Sequence, residues 1–139
     1  MSTKIFVNLP VKDLSRSMDF FKKLGYTFNP QFTDETAACM VISEDIFAML
    51  LTEAKFKIFT PKDIADSTKS TEVITCLSAE SKDNVNEIVD KALQAGGTET
   101  RESQDYGFMF GRSFNDLDGH IWEIMWMDMS ALPEHMNSK

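Results

Sequence analysis

The stretch NDLDGHIWEIMW, residues 115–126, gathers the residues of this chain best suited to chemistry: His120, one of only two histidines, and Glu123 between two tryptophans. Imidazole and carboxylate are the usual ligands of a divalent ion and the usual acid–base groups. Whether they can share a site depends on the backbone beneath them. On a helix an H-x-x-E pair lies on one face, whereas on a strand residues three apart point to opposite faces. The Asp118-Gly119 turn signal and the β-rich composition after it predict a strand. His120 is therefore read as a hydrogen-bonding residue at the strand end rather than a ligand.

Alternation along that strand sorts its side chains. Ile121, Glu123, Met125 and Met127 share one face; Trp122, Ile124 and Trp126 share the other. The wholly apolar face is expected to pack on helices, which leaves the Glu123 face to line a cavity. A carboxylate among methionines costs free energy unless it is paired or hydrated. Glu123 is thus expected near water, a ligand or a cation, with Arg112 as the structural partner to consider.

The elements that position this strand can be read along the chain. Residues 4–11 alternate as a strand; Asp13 then caps a helix that runs to Gly25, with Leu14, Met18 and Phe21 on one face. Strands are expected over 26–32, 36–43 and 46–52. The second half repeats the order: a strand over 71–79, a helix over 81–97, then strands over 98–104, 106–114 and 120–127. The helix stripe is Val85, Ile88, Val89, Ala92 and Leu93. Between the halves lies a linker, 53–70, in which Thr60-Pro61 is expected to start a helix and whose aromatics either dock on a sheet edge or close a site. The tail from residue 130 is expected to fray.

Bulk properties narrow the function. A chain of 139 residues is one domain with a real core. A net charge of −8 with no visible basic face argues against nucleic acid. No apolar run approaches a membrane span, and the N-terminus is broken by Asn8 and Pro10 too early for a secretory signal, so the expected location is cytoplasmic. Cys39 and Cys76 sit in strand-like runs without metal or redox spacing and are read as a buried, reduced pair.

The double βαβββ order, NLPVKDLSRSMDFFKKLGY after the first strand and GRSFNDLDGHIWEI near the end resemble the vicinal oxygen chelate superfamily, which includes glyoxalase I, extradiol dioxygenases, fosfomycin resistance and bleomycin-binding proteins. The resemblance spans roughly residues 3–128. It implies an α+β fold in one glyoxalase-like domain over residues 1–139. In it two modules, 3–52 and 71–128, form a cupped mixed sheet with helices outside, and a homodimer is expected.

For chemistry the resemblance is a test. The superfamily's metal ligands would fall on Phe6, near Ile74 and on Glu123, and only Glu123 is a ligand type. A displaced site from Asn8, Glu72 and Glu123 is the other arrangement considered. Two readings follow. In one, the protein binds a small organic ligand without the full metal site. Its cup is lined by Phe6, Asn8, Met49, Ile74, Phe108, Phe110, Arg112, Glu123 and Met125, with Arg112 holding an oxyanion and Glu123 a cationic or hydroxyl group. In the other, a divalent metal is held with Glu123, which also moves the proton in a lyase or dioxygenase reaction.

Overall fold

The computed structural model describes residues 2–131, so most of the tail expected to fray lies outside the described residues. Contacts divide the chain into two compact units, Met1–Ser70 and Thr71–Lys139, and the linker groups with the first.

In the first unit β1 (Ile5–Val11) runs parallel to β4 (Ile46–Thr52), which pairs antiparallel with β3 (Ala37–Val41), and β3 with β2 (Thr27–Phe28). The sheet order is therefore β1-β4-β3-β2. Alternation along β1 buries Leu9 and Val11 and leaves Phe6 and Asn8 exposed. Helix α1 (Leu14–Lys23) starts where Asp13 accepts from the Arg16 N–H at 3.1 Å, and it buries Leu14, Phe20 and Phe21.

Two expectations shift here. The strand read over 26–32 is short, because Pro30 has no N–H for a ladder and Asn29 accepts from the Gln31 N–H, turning Pro30–Phe32 into a 3-10 turn. The linker helix forms earlier than Thr60: Thr52 Oγ1 accepts from the Lys55 N–H at 3.3 Å and caps α2 (Glu53–Ile58).

In the second unit β5 (Ile74–Ser78) runs parallel to β9 (Ile121–Met127), and β8 (Met109–Asn115) pairs antiparallel with β9. Helix α3 (Lys82–Gln94), capped by Ser81, buries Val85, Val89 and Ala92 and contacts β8 and β9, whose Trp122, Ile124 and Phe114 are also buried. The strand expected over 98–104 is split into β6 (Thr98–Glu99) and β7 (Gln104–Asp105), both paired with β8. From Glu99 to Gln104 this segment advances further than β8 does between their partners, Phe114 and Gly111. The surplus residues bulge out of the ladder, and Arg101 is among them. Among the described residues no helix is long and apolar enough to cross a membrane.

Candidate functional site

The NDLDG segment is organised by a residue that the sequence reading passed over. Asp116 is 7% exposed. Its Oδ1 accepts from the N–H of Asp118 at 2.9 Å and of His120 at 3.0 Å, and its Oδ2 accepts from the Trp122 indole at 2.9 Å. Gly119, at φ +86°, donates to the Asp116 carbonyl. Burial raises the Asp116 carboxyl above its ordinary value, while the nearby His120 and these donors pull it down. An Asx turn of this kind is legible in an aspartate two residues before Asp-Gly. The motif's work is to fix the turn and, through it, the register of β8 on β9.

That register decides which side chains meet. Asn115 lies opposite Ile121, so Phe114 meets Trp122 and Ser113 meets Glu123. On the other side Cys76 of β5 is the neighbour of Glu123, and Ile74 that of Ile121. The Glu123 face therefore carries Ile74 and Cys76 on β5, Met125 on β9, and Gly111 and Ser113 on β8. Phe110 and Arg112, expected on it, are on the opposite face, because odd residues of β8 pair with odd residues of β9. Phe108 precedes β8 and contributes its carbonyl to the Asp128 N–H. Phe6, Asn8 and Met49 share a face of the first sheet, where the Phe6 ring stacks on Phe47 with centroids 4.8 Å apart.

Arg112 is also committed elsewhere. Its guanidinium donates to Asn86 Oδ1 at 2.9 Å and Asp90 Oδ1 at 2.8 Å on α3, and to Glu99 Oε2 at 3.4 Å, with the side chain 13% exposed. It ties helix to sheet, and it is also among the residues that line the pocket beside Glu123. The partner of Glu123 is Arg101 instead, whose Nη2 donates to Glu123 Oε2 at 2.9 Å. Nothing in a strand pattern announces this pair, because it depends on the bulge between β6 and β7.

Arg101, Gln104, Met109, Ser113, Glu123 and Met125 line a shallow pocket of about 60 Å³. Ligand cavities commonly enclose about 300–1,000 Å³, so this one is too small to enclose a whole drug-sized molecule. Cys76, expected to be buried like Cys39, is exposed. Its thiol is nevertheless pushed up to about 11 by partial burial, by the Glu123 charge and by a hydrogen bond to that carboxylate. It is a protonated neighbour of Glu123, not a thiolate.

The residues present do not fit a divalent metal. Firm binding takes three or four protein ligands. Among the described residues no three His, Cys, Asp or Glu side chains converge. Glu123 already has its charge met by Arg101, and Phe6 and Ile74 supply no donor.

The comparisons with known proteins agree with this architecture. The Bleomycin resistance protein-like N-terminal family matches residues 3–43. No curated protein sequence matches the chain. Among solved structures, a hypothetical protein from S. aureus is 28% identical with a TM-score of 0.76, over 91% of this chain and 95% of that one. A glyoxalase/bleomycin resistance protein/dioxygenase family enzyme from Burkholderia phytofirmans PsJN gives a TM-score of 0.75 at 11% identity, over 91% of this chain and 99% of that one. The fosfomycin resistance protein FosX from Listeria monocytogenes gives 0.66 at 16% identity, over 98% of this chain and 97% of that one. The chain has the α+β fold of the glyoxalase/bleomycin resistance/dioxygenase structures, and its residues 3–43 match the bleomycin resistance protein-like N-terminal family.

Proposed function

We propose that the chain is a small-molecule-binding protein of the glyoxalase/bleomycin-resistance type that holds an organic ligand against the Glu123 face of β9 without a resident metal. The observation that carries this reading is the Arg101–Glu123 pair. The one residue that matches the superfamily's metal ligands is engaged by a guanidinium, beside a pocket walled by methionines, which suit adaptable apolar contact.

Action as a cytoplasmic homodimer is part of the same proposal. Ile5 and Phe6 on β1, and Val73 and Ile74 at β5, are exposed on edge strands of their sheets. Apolar surface at a sheet edge favours association, and a second copy would also add wall to a shallow pocket.

Elemental analysis of protein purified without added metal or chelator, followed by titration with nickel, zinc, iron(II) and manganese, tests the metal-free reading. The expected result is no stoichiometric metal and no saturable binding. Near-stoichiometric metal that disappears in Glu123→Ala would replace this reading with the metal-dependent lyase or dioxygenase, Glu123 serving as ligand and base. Sedimentation velocity tests the dimer.

A further inference from the structure

The Arg101–Glu123 contact joins one guanidinium nitrogen to one carboxylate oxygen, Nη2 to Oε2. Among the described residues Arg101 has no other polar partner, and its side chain is 53% exposed. A guanidinium offers five N–H donors in a planar fork, so most of its donors remain available while Glu123 is held. This is the geometry of a bridge, able to keep one carboxylate and receive a second.

A second observation lies across the strand pair. Ser113, the cross-strand partner of Glu123, is 2% exposed, yet its Oγ has no hydrogen-bond partner among the described residues. Thr100 Oγ1, on the segment whose N–H reaches the Ser113 carbonyl, is buried without a partner too. Buried hydroxyls are nearly always satisfied, and one that lines a pocket is an unmet request for a ligand. Directly opposed residues on antiparallel strands have Cβ atoms about 5 Å apart. The Ser113 hydroxyl and the Glu123 carboxylate are therefore neighbours on one face of the sheet.

These features select a ligand class. A plain amine would have to compete with Arg101 for Glu123. A neutral molecule would leave the fork unused. A carboxylate can dock on the free edge of Arg101 without breaking the existing pair. Glu123, and Glu102 beside Arg101 in the same pocket, then penalise a ligand that offers them no donor. We infer that the pocket, if it is the binding site proposed above, takes small carboxylic acids with a hydrogen-bond donor on the adjoining carbon. Arg101 holds the acid, Ser113 and Glu123 the donor, and Met109 and Met125 the apolar remainder. Hydroxy acids and amino acids share this chemistry, and the test separates them.

Four probes of nearly one shape serve: 3-phenyllactate, phenylalanine, 3-phenylpropionate without the donor, and the methyl ester of 3-phenyllactate without the acid. Each is titrated into the full chain carrying ¹³C-methyl methionine, with the Met109 and Met125 signals as readout. The expected result is saturable shifts with 3-phenyllactate or phenylalanine, whichever binds tighter naming the donor, and at least tenfold weaker binding of 3-phenylpropionate and of the ester. Arg101→Gln should weaken the acids tenfold or more. Arg101→Lys, which keeps the charge but not the fork, should recover only part. Ser113→Ala should narrow the gap between 3-phenyllactate and 3-phenylpropionate. Ester and acid binding alike, or acid affinity unchanged in Arg101→Gln, would overturn the ligand class while leaving the binding site in place. No shift of Met109 or Met125 with any of the four would remove both. Methionine signals remote from the pocket report whether each variant is folded.

Discussion

The Arg101 guanidinium meets the Glu123 carboxylate at 2.9 Å across 22 residues of sequence, while Arg112, on the opposite face of the same sheet, holds Asp90 at 2.8 Å. The two arginines therefore divide the work expected of one. Arg112 is mostly buried and donates to three acceptors, Asn86, Asp90 and Glu99. Arg112→Ala should lower unfolding stability by about 1.5–3 kcal/mol, the range for hydrogen bonds to a charged group. Arg101→Ala removes a single contact made by a half-exposed arginine and should change stability by no more than about 1 kcal/mol. Urea titration of both variants checks this. Equal losses would mean that Arg101 is a structural residue.

The Cys76 thiol, pushed up to about 11, should be slow to react despite its exposure. At pH 8 its alkylation by iodoacetamide should run roughly two orders of magnitude slower than that of an ordinary exposed thiol, because the thiolate is the nucleophile. Glu123→Gln removes the charge and should speed the reaction, though not fully, since burial is the larger cause. The linkage has a fixed sign. The folded value lies above the reference value of 9.0, so the associated stabilisation is complete below pH 9 and fades as pH rises toward 11. The measurement is a pH–rate profile in a Cys39→Ser background, where only Cys76 reports. A rate at pH 8 matching a free thiol would refute the assignment.

Asp116 should be the most sensitive position in the terminal hairpin. Asp116→Ala leaves two backbone N–H groups and the Trp122 indole without their acceptor in a buried turn. Each buried unsatisfied group costs about 1–3 kcal/mol, and partial hydration should leave a total loss of about 3–5 kcal/mol. Asp116→Asn keeps one acceptor but turns an amide toward the indole donor, so it should fall between. Thermal unfolding and the near-ultraviolet signal of Trp122 report both. An Asp116→Ala protein as stable as wild type would show that the turn is set by Gly119 alone.

How far the sequence reached follows from which interactions are periodic. Alternation put Trp122 and Ile124 on the helix face and Glu123 with Met125 on the other, and the register agrees. Asp13 and Gly25 bracketed α1 because capping is local chemistry. Phe110 and Arg112 fall on the other strand face because the parity between two strands depends on where the turn closes, and Asp116 closes it, although Arg112 still lines the pocket. Arg101 could not be found from pattern. It sits among the surplus residues of a bulge, and its contact with Glu123 is a tertiary event. The exposure of Cys76 was missed for a related reason, since an apolar run in an edge strand looks the same as one in a central strand.

Gly111 offers the sharpest separation of site from scaffold. It has no side chain and sits on the Glu123 face between Gln104 and Met125, and a Cβ there would meet only the Ile124 carbonyl oxygen at 3.7 Å, an ordinary contact. Gly111→Ala should therefore fold as well as wild type, or gain up to about 1 kcal/mol from the loss of glycine's backbone freedom in the unfolded chain. Its methyl group would intrude on the pocket floor and should weaken 3-phenyllactate or phenylalanine, whichever binds, by tenfold or more. Gly96→Ala is the converse. At φ +113° an L side chain is strained, and its Cβ would press on Leu117 Cδ2 at 3.2 Å, so stability should fall by about 1–2 kcal/mol with affinity unchanged. Denaturant midpoints and methyl titrations on the two variants check both. If Gly111→Ala binds like wild type, the ligand does not enter between β7 and β9, and the pocket assignment fails however stable the protein proves.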